Sequence, residues 1–398
     1  MKRNSLTAMK DELAGYRREM HKNPQTAYEE TFASDLVAQK LEEWGIPFER
    51  GYGKTGIVGI IEGQSNTSGK KIGLRADMDA LDIEEKSGQP WTSENPGKMH
   101  ACGHDGHTTI LLGTAKYLND TRNFDGTVYL IFQPAEEGYQ GARAMMEDGL
   151  FDKYPCDEVY GLHNWPWLEV GKMAVRENEF FAASDSLTIE ISGKGGHAAF
   201  PHNTIDPITI ATDIVQSIQT IVSREIDPAD TAVISITNLN AGTGAFNIIP
   251  DAATITGTIR TFKEETRKFI QKRIHEIVHD TVKSRRGKVT TCHIEEVLDP
   301  TVNHPQATEH ALAVSKSVFG EENVDPDHPL IMGGEDFGAF ATDRPGAYIL
   351  LGQKDPDNDD SPHNHGLHSP FYDFNDDVIP LGMEYFAEIV EQGMPLKK

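Results

Sequence analysis

A chain of 398 residues can bury a large core and form two domains, and its 38% hydrophobic content with scattered Gly and Pro marks an ordinary globular protein rather than a disordered one. The formal net charge of -25 argues against nucleic-acid binding, which needs Lys and Arg on phosphates, and against attraction to anionic membranes; no apolar run approaches membrane-spanning length. Cys102, Cys156 and Cys292 lack disulfide-framework spacing, and the opening stretch has basic residues but no apolar core of a secretory signal, so a reduced, cytoplasmic compartment is expected.

In chain order, Leu6, Met9, Leu13 and Tyr16 recur at helical intervals and predict a helix over 5–21, stopped at Asn23-Pro24. Phe32, Leu36, Val37 and Leu41 predict a second helix over 28–45. "GIVGIIEG" and "KIGLRADMDAL" read as short apolar strands bounded by glycines and charges. "MHACGHDGH" then gathers Cys102, His104 and His107 ahead of a helix over "HTTILLGTAKYL". "GTVYLIFQPAEEG" is an apolar strand ending in Glu136 and Glu137, and "CDEVYGLHNWP" repeats that design with His163.

Strands alternating with helices imply an α/β fold: a mostly parallel sheet with helices on both faces. Ligands of such sheets gather beyond the carboxyl ends of the strands, where Asp77, Asp79, Glu136, Glu137 and His163 are expected. From about Ser184 the texture changes to period-two alternation, as in "SDSLTIEIS", followed by a helix over 206–225, two more alternating strands and a charged helix over 264–283. The expectation is a catalytic domain over 1–183 and 296–398, interrupted over 184–295 by a smaller α+β domain.

The Cys-His stretch admits three readings: a thiol nucleophile, a metal site, or a polar loop. A nucleophilic Cys102 needs a base and an orienting group, but no thiol-hydrolase motif surrounds it, and carboxylates nearby would raise its pKa. As ligands, Cys102 and His104 suit zinc or a neighbouring divalent ion. Glu136 and Glu137, side by side, would diverge, one onto a metal and the other toward a bound water. His163 and the cluster His363, His365 and His368 add imidazoles from separate segments, which is what a two-metal site requires.

The motifs "RADMDAL", "MHACGHDGHTT", "FQPAEEG", "GLHNWP", "GKGGHAAFPH", "FNIIPD", "GTIRTF", "GGEDF" and "LHSPFYDF" run in order over nearly the full chain. Together they resemble the M20 metallopeptidases and aminoacylases, in the amidohydrolase branch of hippurate hydrolases, N-acetyl-amino-acid deacetylases and plant auxin-conjugate hydrolases. The resemblance implies metal ligands Cys102, His104, Glu137, His163 and His368, a general base at Glu136, and an orienting aspartate at Asp77 behind the ligands. It implies that the smaller domain is a lid or dimerisation domain whose His197 reaches a neighbouring subunit's site, in a homodimer or homotetramer. Asn247 and Arg260 resemble substrate-binding positions, and Gly333 and Gly334 would let the backbone approach the substrate.

Two divalent ions per subunit (zinc, manganese, cobalt or nickel) and a small-molecule substrate follow, with hydrolysis of the amide bond of N-acyl amino acids as the reaction. Trp165 and Trp167 are candidate pocket walls. Arg75 stands where other M20 branches carry a histidine, and "NPQTAYEE" departs from the commoner "NPELGFEE". The competing reading is a non-catalytic metal- or conjugate-binding protein on a hydrolase scaffold, which would have no use for a base at Glu136.

Overall fold

The computed structural model describes residues 2–397. The chain forms two compact units, one made of residues up to Phe180 with Val302–Pro329 and the chain from Asp336 on, the other of Phe181–Thr301 with Leu330–Glu335. Among the described residues no helix is long and apolar enough to cross a membrane.

The larger unit is built on an eight-stranded sheet in the order Phe48–Tyr52, Gly56–Glu62, Thr127–Gln133, Lys71–Asp77, Glu158–Glu169, Gly346–Lys354, Met173–Ala174, Val324–Asp325. Its four middle strands are mutually parallel, while the hairpin Phe48–Tyr52/Gly56–Glu62 joins antiparallel at one edge and Met173–Ala174 runs antiparallel to Gly346–Lys354 near the other. All seven residues of Thr127–Gln133 are buried, as a continuous apolar run in a covered parallel sheet requires. The helix His104–Thr121 packs against the helices Lys10–Lys22 and Ile379–Gly393, which close the core with Ile110, Leu111, Met383 and Phe386 fully buried.

Several boundaries differ from the sequence reading. The first helix breaks into Lys2–Ala8 and Lys10–Lys22, because Met9 N–H bonds Leu6 only three residues back. The next helix runs Thr31–Glu43 and excludes Tyr28, whose φ of +63° is left-handed. The helix expected from His107 instead starts at His104, following Gly103 at φ +90°, where a Cβ would lie 2.4 Å from Asn164 Oδ1. His163 sits inside a strand rather than past its end. Pairing with Lys71–Asp77 nevertheless stops at Gly161, so His163 emerges just beyond its neighbour's paired edge.

The smaller unit carries a four-stranded antiparallel sheet, Ala232–Ala241, Ala252–Thr261, Ala183–Ser192 and Lys288–Leu298 in that order. Alternation puts Leu187, Ile189 and Ile191 inside with Ile210, Ile214 and Ile218 of the helix Pro207–Thr220 and Ile270, Ile274 and Val278 of Glu264–Ser284. Each such side chain contributes about 1.5–3 kcal/mol of apolar burial. The helix expected to end at Glu225 passes into a π-helical turn at Ile221–Glu225, and the Lys288–Leu298 strand completes a β-α-β-β-α-β order.

Candidate metal centre

Beyond the carboxyl ends of the parallel strands the larger unit assembles donor side chains from four segments. Cys102, His104 and His163 form one group whose donor atoms lie within 4.8 Å of one another; Cys102, Glu137 and His368 form a second, and His104, Glu136 and Glu137 a third. Cys102 Sγ is 3.4 Å from His163 Nε2, and Glu137 Oε1 is 3.3 Å from His368 Nε2. His104 Nε2 stands 4.0 Å from both Glu136 Oε2 and Glu137 Oε1. Apart from the half-exposed His368, the cluster is buried or nearly so.

Each imidazole is held from behind. His104 Nδ1 contacts Asp79 Oδ1 at 3.1 Å, and Asp79 Oδ2 accepts the Glu137 backbone N–H at 2.9 Å, so one carboxylate fixes two members of the cluster. His163 Nδ1 is 2.7 Å from its neighbour's carbonyl, Asn164 O, which makes Nδ1 the donor and leaves the Nε2 lone pair facing Cys102 Sγ. His107 is committed elsewhere, Nδ1 to Asp77 Oδ1 at 2.6 Å and Nε2 between Asn164 Oδ1 and N. Asp77 also accepts from the buried Arg75 guanidinium, which reaches on to Gln133, Tyr348 and Asp336.

The turn carrying Glu136 and Glu137 is strained in a defined way. Ala135 has φ +55° and His368 has φ +63°, left-handed values that non-glycine residues adopt only when their surroundings hold them there. Gly141 allows the turn to close: a Cβ there would lie 1.7 Å from Pro134 O, and Gly141 N donates to Ala135 O at 3.0 Å. His368 N donates to Ala101 O at 2.8 Å, which ties the C-terminal histidine to the Cys102 segment.

Electrostatics follow from burial and neighbours. Burial, with Glu137, Glu136 and Asp77 adding to it, pushes the Cys102 thiol well above its ordinary value, the reverse of what a thiol nucleophile needs. Burial acts to lower His104, but Asp77 and Asp79 overcome it and lift the imidazole to about 10. His163 is lowered well below its usual range by burial and by His107. Burial opposes ionisation of Asp77 and Glu137, yet both are held low, Asp77 by His104 and Arg75, Glu137 by His368 and His104.

Two atoms test whether this donor set fits cations. His104 Nε2 is buried with no hydrogen-bond partner among the described residues, and Glu137 Oε1, 3.3 Å from His368 Nε2, makes no well-formed hydrogen bond; both face the cluster. A thiol, imidazoles and carboxylates converging on one buried spot is the donor chemistry of a divalent-metal site.

The other expected site residues lie in the smaller unit. His197 is exposed in the short strand Gly196–His197, opposite Ile248, with its Nδ1 accepting from Ala199 N at 3.1 Å. Ala198 N bonds Asn247 O at 3.0 Å, placing Asn247 beside it. Arg260 is half-buried, and burial lowers its pKa against the opposing pull of Asp185. A Cβ on Gly334 would come within 3.3 Å of Arg260 Nη1, and Gly333 O accepts from Ala182 N at 3.1 Å.

His363 and His365 stay out of the donor groups: His363 Nδ1 turns to Asp373 O at 3.2 Å, and His365 packs on Phe371. Trp165 lies edge-on to His163 at 6.4 Å and packs against the exposed Trp167. The sequence reading gave no role to Asp79, Asn164 or Asp336, whose backbone N faces Glu136 Oε1 at 3.4 Å. The signal for Asp79 is its place beyond the strand "KIGLRAD", among the strand-end polar residues, which points to the site but not to a partner.

An α/β sheet that ends in buried thiol, imidazole and paired carboxylates defines a metal-dependent hydrolase. The chain belongs to peptidase family M20/M25/M40, whose family model matches residues 73–392. It is 41% identical over 382 residues to the hippurate hydrolase of Campylobacter jejuni, covering 96% of each chain. It is 40% identical to the IAA-amino acid hydrolase ILR1-like 2 of Arabidopsis thaliana, covering 96% of this chain and 85% of that one. Among solved structures it matches the Bacillus subtilis YXEP protein, described as a dinuclear metal binding peptidase from the M20 family. That match has a TM-score of 0.83 and 30% identity, with 98% of this chain and 99% of that one covered.

Proposed function

We propose that the protein is a metal-dependent amidohydrolase that cleaves the amide bond of N-acyl amino acids into a carboxylate and the free amino acid. The observation that carries this reading is the division of labour in the "AEEG" turn. Both carboxylates stand 4.0 Å from His104 Nε2, but Glu137 Oε1 turns to His368 Nε2 at 3.3 Å, while Glu136 Oε1 faces the Asp336 backbone N–H at 3.4 Å. The substrate class draws support from the relatives, which are named for hydrolysing hippurate and IAA-amino acid conjugates.

Cys102, His104, Glu137, His163 and His368 would hold two divalent ions, whose chemistry is to bring water to reactivity near neutral pH and to polarise the amide carbonyl. Glu136 takes a proton from the attacking water on a carboxylate oxygen and delivers it to the departing amine nitrogen, so water and amide become acid and amine in balance. Asp79 and Asn164 keep His104 and His163 with their Nε2 atoms facing the cluster.

For the smaller unit, the family motifs support a lid and dimerisation role over 184–295, with His197 acting in a partner's site and Asn247, Arg260, Gly333 and Gly334 meeting the substrate. The unpaired state of all three cysteines supports a cytoplasmic location.

The test is hydrolysis of N-acetyl and N-benzoyl amino acids by protein reconstituted with zinc or manganese, with a chelator control. Glu136→Gln should keep its metal and lose about 10²-fold or more of the rate. A metal-loaded wild type that is inert across the panel would establish the binding-protein reading instead.

A further inference from the structure

The stretch "NPQTAYEE" links the helices Lys10–Lys22 and Thr31–Glu43. Its last residue, Glu30, is fully buried just ahead of the helix Thr31–Glu43. One of its oxygens, Oε1, accepts two backbone N–H groups at once: Tyr28 N at 2.8 Å and Ala135 N at 2.9 Å. The other, Oε2, accepts the Thr55 hydroxyl at 2.6 Å. Both clamped backbones are left-handed, Tyr28 at φ +63° and Ala135 at φ +55°. Ala135 immediately precedes Glu136, and its carbonyl is tied to Gly141 N.

We propose that Glu30 is a positioning residue that holds the Ala135 backbone in its left-handed conformation and so aims Glu136 and Glu137 at the donor cluster. The role rests on the hydrolase reading above, since it is the aim of Glu136 that the clamp preserves. Ala135 is fully buried, so its N–H has no solvent to turn to. Without the Glu30 oxygen, the alternative to an orphaned donor is a φ that relaxes to negative values and swings the following carboxylates away. Asp79 fixes the far side of the same turn through Glu137 N, which leaves Ala135 as its adjustable end. What the clamp needs is an acceptor oxygen at that reach, not a charge. Burial lifts the Glu30 carboxyl above its ordinary value, in keeping with that.

Three substitutions separate the possibilities. Glu30→Gln retains an oxygen for both N–H groups and an NH2 for the Thr55 hydroxyl; Glu30→Asp is one methylene short, and Glu30→Ala removes the acceptor. In Glu30→Ala and Glu30→Asp, kcat should fall by about 10- to 100-fold, the scale of an ångström-sized misplacement. KM should stay within about threefold and bound metal should be unchanged, whereas Glu30→Gln should stay within about threefold of wild type in kcat. Amide hydrogen exchange on the metal-free chain gives a readout independent of activity: Ala135 N–H should be protected in wild type and Glu30→Gln and exchange faster in Glu30→Ala and Glu30→Asp.

If Glu30→Ala does not fold, Glu30→Asp carries the same readouts. Unchanged kcat with unchanged Ala135 exchange in the Ala or Asp variant overturns the proposal. So does a Glu30→Gln rate as low as that of Glu30→Ala, or a loss that follows metal content rather than kcat. A wild type without hydrolase activity but with the expected exchange pattern would sink the functional reading and leave the clamp standing.

Discussion

Asp79→Asn changes one atom in the support of the cluster and isolates what that support does. In wild type, Oδ1 faces His104 Nδ1 at 3.1 Å and Oδ2 accepts Glu137 N at 2.9 Å. When a cation displaces the Nε2 proton, the carboxylate keeps the remaining imidazole proton on Nδ1 and so turns the Nε2 lone pair toward the metal. An asparagine can satisfy only one of the two contacts. With its NH2 toward His104, Nδ1 must become the acceptor, the proton moves to Nε2, and that nitrogen cannot ligate. With its NH2 toward Glu137, two donors face each other and a buried N–H is orphaned, at about 1–3 kcal/mol.

Either orientation should weaken binding of divalent metal by about 10- to 100-fold, or about 1.4–2.7 kcal/mol. The assay is a competition titration of zinc or cobalt against a chromogenic chelator, with thermal unfolding of the metal-free variant as the folding control. Wild-type affinity in a folded Asp79→Asn protein would show that orientation of His104 does not govern binding.

Two further predictions concern protons. The buried His21 lies 2.8 Å from Asp105 Oδ2 and 3.2 Å from Glu85 Oε1, and although burial opposes its charge these carboxylates raise its pKa to about 9. A raised folded pKa stabilises below the unfolded value of about 6.5 and loses that stability as pH climbs through about 9, a contribution of up to about 3 kcal/mol. The Tm deficit of metal-free His21→Asn should therefore be largest near pH 6 and close toward about pH 9.5; a deficit constant with pH would refute the linkage. At the cluster, His104 at about 10 and the raised Cys102 thiol both carry protons near neutrality, so metal uptake should release protons and tighten with rising pH. Calorimetry in buffers of differing ionisation enthalpy reads this directly, and buffer-independent heats would count against it.

The donors of the cluster can be read in sequence because each stands in a short motif at or near a strand end, and strand-helix alternation is enough to place those ends on one rim. What holds the donors cannot be read that way. Asp79 acts on His104 and Glu137, and Glu30 on Ala135, across 25, 58 and 105 positions. No local period records such pairings. The helix start at His104 was hidden for the same reason: "ACGHDGH" has poor helix propensity. Contacts from Asp79, Asp77 and Asn164 to His104 and His107, with Thr108 Oγ1 bonding Asp77 O, fix the first turn from outside. The edge strand Phe48–Tyr52, "FERGY", has two charges in five residues and is largely open to solvent, so hydrophobic alternation could not reveal it.

The geometry also weighs against a purely structural cluster. His104 Nε2 is buried without a hydrogen bond among the described residues, at about 1–3 kcal/mol, and Glu137 Oε1 meets the His368 imidazole at 3.3 Å without a well-formed hydrogen bond. Two left-handed non-glycine residues, Ala135 and His368, add backbone strain of about 1–3 kcal/mol each at the same place. A cluster serving only the fold would be relieved by apolar residues of similar size, which pack without orphaned lone pairs. Here, instead, Asp79 holds His104 and Glu137, Asn164 holds His163, and Glu30 holds Ala135, each through hydrogen bonds of its own. That arrangement makes sense when a cation completes the coordination and offsets the cost, with Glu136 left beside it to move protons.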